Sequence, residues 1–139
     1  MTARHAAPIL AIVALLAFFG SATAQDSVSV SVQLDRSTIS LNEQAVLQVT
    51  ISGGNQNLPG PDMPNLPQFE VYSQGRSSNI SIINGQVSAS MTYLFLLVPQ
   101  QAGTFPINNI SVVQDNHRYV GNEVTLTVLN KGQSGTSKL

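Results

Sequence analysis

The sequence contains no cysteine and no tryptophan, and only 9% of its 139 residues are charged. Without cysteine, the chain has no disulfide, no thiolate metal ligand and no thiol nucleophile. A formal net charge of -1 provides no basic surface for a nucleic acid or an anionic membrane. Hydrophobic residues, in contrast, make up 42% of the chain. This composition predicts one folded domain with a packed core.

The first 24 residues have the pattern of a secretory signal peptide. Arg4 and His5 precede an apolar run at residues 9–19 (ILAIVALLAFF), and the Ala-Thr-Ala of residues 22–24 is a cleavage pattern. The run is shorter than the ~20 residues that a spanning helix needs, so cleavage is favoured over an uncleaved anchor. No second apolar run of membrane length follows. We therefore predict an exported, periplasmic chain with a signal peptide at 1–24, a folded domain at 25–130 and a flexible polar tail at 131–139.

Alternation of apolar and polar residues predicts β-strands over most of the remaining chain. Residues 27–35 (SVSVSVQLD) place valines on one face and serines on the other, and residues 46–52 repeat this pattern before Gly53 and Gly54. The Asn84-Gly85 pair predicts a hairpin turn into a long strand that Pro99 ends. In residues 94–98 both faces of that strand become apolar, which predicts burial on both sides.

A proline-rich connection separates two groups of predicted strands. Residues 55–68 (NQNLPGPDMPNLPQ) contain four prolines, which lack the N–H that a sheet ladder requires. About seven to nine strands with frequent turns and no helical period predict an all-β, antiparallel, Ig-like β-sandwich. A small β-barrel is the alternative fold. The long connection favours two layers, because it can carry the chain from one sheet to the other.

An ordered set of short motifs resembles the N-terminal domain of the BatD family. The motifs are DRSTISLNE at 35–43, VTISG at 49–53, PDMPNL at 61–66, ING at 83–85, YLFLLVP at 93–99 and GTF at 103–105. The resemblance covers about residues 28–129. It implies an Ig-like envelope domain linked to oxygen tolerance (aerotolerance) in bacteria, with von Willebrand factor A domain and tetratricopeptide proteins as partners.

Members of that family carry a membrane helix after their extracytoplasmic domains, and this sequence departs from the pattern. We therefore expect a truncated reading frame, a fragment of a longer protein, or a short soluble relative. As part of a longer BatD-like protein, the domain would be associated with the membrane.

Residues suited to catalysis do not form a recognisable motif. His117 is the only histidine after the predicted signal peptide, and it falls in a polar turn. No serine has a G-x-S-x-G environment, and the acidic residues occur singly, without a calcium-loop spacing. Two of the acids could still meet in space as a glycosidase pair. We nevertheless expect no enzyme activity, no cofactor and no metal.

Binding is the favoured function, and two surfaces are candidates. The proline-rich connection is stiff and could present a contact surface to a partner, formed by Leu58, Pro59, Pro61, Met63, Pro64 and Leu66. The same apolar groups could instead cap the open end of the sandwich. The uncharged run at residues 28–32 could accept a strand from a partner, although ordinary pairing within the domain is favoured there.

Two functions from different classes follow. The first is a periplasmic interaction domain of the BatD type, acting as a scaffold in an envelope oxygen-tolerance or stress assembly. The second is a carbohydrate-binding or adhesin-like domain at the cell surface. Sugar platforms use exposed aromatic rings, and the chain has three tyrosines, five phenylalanines and no tryptophan, which favours the first.

Overall fold

The structure, a computed structural model, describes residues 28–54 and 57–130. The predicted signal peptide at 1–24 and the predicted tail at 131–139 lie outside the described residues. Those described form nine strands: β1 (Ser29–Leu34), β2 (Thr38–Ser40), β3 (Ala45–Gly53), β4 (Phe69–Ile83), β5 (Gln86–Pro99), β6 (Gly103–Ile107), β7 (Ser111–Gln114), β8 (His117–Val120) and β9 (Val124–Leu129). The all-β prediction and the expected number of strands are confirmed.

The strands form a four-stranded sheet facing two smaller ones. The first sheet has the order β1-β3-β5-β4 with every pair antiparallel. A three-stranded sheet of order β2-β9-β6 and the two-stranded β7-β8 ribbon form the second layer. The β2-β9 pair is parallel, which makes the second layer mixed. This arrangement is the predicted sandwich, with one parallel pair that the alternation pattern could not reveal.

A single core lies between the layers. Leu47 and Val49 of β3 are fully buried, and they belong to one cluster with Leu126 of β9 and Val112 of β7. The rings of Phe69 and Phe105 meet edge to face, with centroids 5.4 Å apart. Such aromatic contact adds to the burial of apolar area that stabilises the fold.

The long β4-β5 hairpin contains the predicted Asn84-Gly85 turn but differs from the prediction in its burial. β4 is continuous over 15 residues, with a bulge between Ser73 and Gly75. Residues 94–98 were expected to be buried on both faces. Leu97 is buried in the core, but Leu94, Leu96 and Val98 are only half-buried, because no layer among the described residues covers the outer face.

Candidate interaction surfaces

The proline-rich connection lies against the domain. Leu58, Met63 and Leu66 are half-buried and pack on the core cluster. A Cβ atom at Gly53 would lie 3.0 Å from Leu58 Cδ2, so this end of the connection sits directly over the end of β3. These contacts agree with the alternative given above, in which the apolar side chains of the connection cover the open end of the sandwich.

Backbone hydrogen bonds fix the connection at its middle. The N–H of Asp62 donates to the carbonyl of Ser111 at 2.7 Å, and the N–H of Ser111 donates back at 3.2 Å. Pro59, Pro61 and Pro64 are half-buried beside this bridge. All six predicted contact residues are therefore half-buried along this connection, and a partner contact there stays a prediction.

The outer edge of β1 is closed by a side chain from the other end of the chain. The Oδ1 of Asn122 accepts from the N–H of Val32 at 2.8 Å, and the Nδ2 donates to the Val32 carbonyl at 2.9 Å. The amide thus makes the two bonds that a neighbouring strand would make. Gly121 lies against the same strand, since a Cβ there would be 2.9 Å from methyl groups of Val30 and Val32. The edge proposed from residues 28–32 is therefore occupied at its centre.

The outer edge of β4 is open beyond Phe69, whose N–H donates to the Leu66 carbonyl at 3.0 Å. Every later residue of β4 is exposed, and no described residue hydrogen-bonds to the outer backbone groups of this later part. Edge strands are normally protected by charges, prolines or bulges. β4 contains no proline, its only charged residues are Glu70 and Arg76, and its single bulge lies before Gly75. After the bulge, residues 77–83 have neither charge nor irregularity.

The hairpin turn determines which backbone groups point outward. Asn84 (φ 53°) and Gly85 (φ 76°) form a two-residue turn with both φ values positive, so the closing pair Ile83 and Gln86 is hydrogen-bonded. Hydrogen-bonded and non-hydrogen-bonded pairs then alternate along the unbroken register. The N–H and C=O groups that face away from β5 are those of Arg76, Ser78, Ile80 and Ile82.

The hydrogen bonds at the closed β1 edge agree with this assignment of outward-facing backbone groups. Followed across β5 and β3 to β1, the same alternation turns Val32 outward, and Val32 is the residue that Asn122 binds.

The end of the hairpin extends past the rest of the sheet. The pairing of β3 with β5 ends at Ala89, so residues 86–88 have only β4 beside them among the described strands. Ile80 and Ile82 are 51% and 65% exposed. A shallow open depression of ≈ 450 Å³ lies at this tip, lined by Ile83, Asn84, Gln86, Val87 and Ser88. We call residues 76–83 with residues 86–93 the arm.

The described residues contain no group of three or more His, Cys, Asp or Glu side chains placed to hold a metal ion. His117 is exposed, and it begins β8 opposite Gln114 instead of lying in the turn as predicted. The turn consists of Asp115 and Asn116, both with positive φ. A short polar side chain tolerates that conformation, which explains the shift.

One exposed ionisable pair occurs on the proximal part of β4. The Tyr72 hydroxyl donates to Glu70 Oε2 at 2.7 Å. This hydrogen bond, and then the negative charge of the carboxylate, raises the pKa of Tyr72, because ionisation would lose the bond and place two negative charges together. The pair gives β4 a fixed polar feature before its bulge.

Sequence reasoning missed the two features that distinguish the edges. Asn122 binds Val32 across 90 positions of the chain, and no local pattern indicates such a contact. The open stretch of β4 did have a signal, since residues 77–83 lack charge and proline. The lack of charge and proline does not, however, predict that this stretch lies at the edge of the sheet.

The described residues thus define a two-layer β-sandwich domain in which one edge of the four-stranded sheet is closed and the other is open. A family model described as the BatD DUF11-like domain matches residues 32–128, most of the chain. The chain therefore belongs to the BatD family, and the resemblance seen in the sequence is confirmed.

Comparison with curated proteins gives no match, and comparison with solved structures gives none either. Over residues 28–54 and 57–130, no helix has the length and apolar character required to cross a membrane.

Proposed function

We propose that this chain is a non-enzymatic, exported interaction domain that acts as a scaffold in a bacterial envelope assembly connected with oxygen tolerance or stress. Membership of the BatD family is the observation that carries the proposal. A periplasmic location follows from the signal-peptide pattern, with membrane association if the domain forms part of a longer protein.

The surface of the domain supports a role in contact. The sandwich presents the open edge of β4 and the half-buried side chains of the proline-rich connection. The proposed partners are von Willebrand factor A domain proteins and tetratricopeptide proteins encoded with the family. The proline-rich connection, centred on Pro61 and Met63, is the proposed contact for them.

The test is a binding measurement between purified proteins. The full chain is titrated with the von Willebrand factor A domain protein from the same genome, and deuterium exchange is followed at residues 57–68. We expect saturable binding with slower exchange in this segment. Its exchange in the free protein and in the presence of an unrelated domain of similar size is the control.

Absence of binding to both the von Willebrand factor A and the tetratricopeptide proteins would contradict the proposal. Saturable retention on a glycan array, combined with that absence, would favour the carbohydrate-binding alternative. Binding that leaves residues 57–68 unchanged would keep the function but move the contact to another surface.

A further inference from the structure

The open stretch of β4 has two natural ends. The bulge at Ser73 to Gly75 bounds it on one side, and the turn at Asn84 and Gly85 bounds it on the other. Between them lie the four residues whose backbone groups face outward. Together they present four N–H donors and four C=O acceptors in a row, a pattern that only another extended chain can satisfy completely.

This stretch is complementary to itself. When two copies run antiparallel with Asn79 opposite Asn79, Ser78 lies opposite Ile80 and Arg76 lies opposite Ile82. Every outward residue then faces another outward residue. All eight backbone groups of each copy find a partner, whereas a register centred on Ser81 would pair only Ile80 with Ile82.

We propose that two copies of this chain pair antiparallel along the outer edge of β4, over residues 76–82, about a two-fold axis at Asn79. Such an interface is isologous, so it closes on itself as a dimer. The inference is independent of the proposed partners, because it uses a different surface and a different measurement.

This register separates the two bulges and the two arginines. The bulges at Ser73 of the two copies would lie roughly 40 Å apart at about 3.4 Å per residue, on opposite sides of the two-fold axis. The two Arg76 side chains would be separated by roughly 20 Å, beyond the screening length of about 8 Å at physiological salt.

The pairing would also support the tip of the hairpin. Residues 81–83 and 86–88 lie beyond the end of β3, and a two-stranded hairpin is only marginally stable in water. In the dimer, β4 of the second copy would lie beside residues 81 and 82 as a third strand. Ile80 of one copy would lie diagonal to Ile80 of the other, which brings exposed apolar surface together.

The first test is the mass of the full chain by sedimentation over a wide range of concentration. We expect the mass to double as concentration rises, and Ile80→Lys to abolish the doubling. Val120→Lys is the matched control, because Val120 is 56% exposed and lies on β8, away from the arm. A monomer mass at every concentration, or a dimer that survives Ile80→Lys, would overturn the proposal.

The second test uses the absence of cysteine, since any disulfide in a single-cysteine variant must join two chains. Asn79 would form a non-hydrogen-bonded pair with its symmetry mate, with a Cα separation of about 4.5 Å that suits a disulfide. We expect Asn79→Cys to cross-link on oxidation, and Ser31→Cys, on the closed β1 edge, to remain unlinked.

The register of the proposed dimer can be tested separately, by cross-linking two different single-cysteine variants. Ser77 would lie opposite Ser81 of the second copy, so Ser77→Cys and Ser81→Cys should cross-link when mixed and not separately. Equal cross-linking of Asn79→Cys and Ser31→Cys would overturn the proposed interface. Cross-linking of Ser81→Cys with itself, in place of Asn79→Cys, would overturn the two-fold axis at Asn79.

Discussion

The two edges of the four-stranded sheet differ in whether their outward-facing backbone N–H and C=O groups have hydrogen-bond partners. β1 is closed by the amide of Asn122, which satisfies the outward N–H and C=O of Val32. β4 has no such cover among the described residues, and its distal part lacks the charges that discourage strand pairing. The difference teaches that alternating valines do not by themselves make an accessible edge, because a distant side chain can occupy it.

The largest contrast is expected between the base and the tip of the β4-β5 hairpin. Leu97 is fully buried in the core, so Leu97→Ala should lower the free energy of unfolding by about 2–5 kcal/mol. Ile82→Ala near the tip, where the side chain is 65% exposed, should change it by no more than about 0.5 kcal/mol. Urea unfolding of both variants checks this. A similar loss of unfolding free energy in the two variants would mean that the Ile82 side chain is buried in solution.

Removal of the cap on β1 should have the next largest effect. Asn122→Ala leaves the backbone groups of Val32 without their partner in a partly buried position, and we expect a loss of about 1–3 kcal/mol. Asn79→Ala on the open edge is the control, with an expected change within about 0.5 kcal/mol. Thermal unfolding at low protein concentration compares them. Equal stability of the two variants would show that the amide does not close the edge.

The close approach of Gly121 to β1 should give an effect of similar size. A Cβ atom there would meet methyl groups of Val30 and Val32 at 2.9 Å, and the resulting overpacking should cost about 1–3 kcal/mol in Gly121→Ala. At Gly60 the nearest atom would be the Tyr93 hydroxyl at 3.7 Å, an ordinary contact. Gly60→Ala should therefore be tolerated. Denaturation midpoints that fall equally for both variants would contradict this account of the closed edge.

The smallest prediction concerns the proximal part of the open edge. Because Glu70 raises the pKa of Tyr72, Glu70→Gln should lower that pKa towards 10.0, its ordinary value. The raised pKa favours the protonated phenol in the folded state. Any stabilisation from it is present below pH 10 and lost as pH rises through the folded-state pKa. Titration of the Tyr72 ring by NMR measures the shift, and an unchanged pKa in Glu70→Gln would exclude the bond in solution.

Local patterns predicted the features that depend on neighbouring residues. The Asn84-Gly85 turn has the expected positive φ values, Pro99 is the last residue of β5, and the residues between Gly54 and Phe69 form no strand where they are described. Each of these outcomes follows from the conformational limits of glycine, asparagine or proline. Local sequence patterns were therefore sufficient to predict these turns and strand ends.

The remaining features depend on contacts between distant segments. Residues 77–79 (SSN) have low strand propensity, and β4 continues through them because β5 supplies a ladder partner at each position. The partial exposure of Leu94 and Leu96 depends on which layer covers the sheet. For the candidate surfaces, the sequence located the proline-rich connection but could not show which edge Asn122 closes.

The parallel pair of β2 and β9 constrains how the chain can acquire its structure. Thr38 pairs with Thr127, and β9 lies between β2 and β6 in the second layer. Synthesis must therefore reach Leu129 before this sheet can assemble, and such long-range closure slows folding. A premature stop before Val124 would release a polypeptide whose earlier strands have no central member to join, leaving it a substrate for proteases.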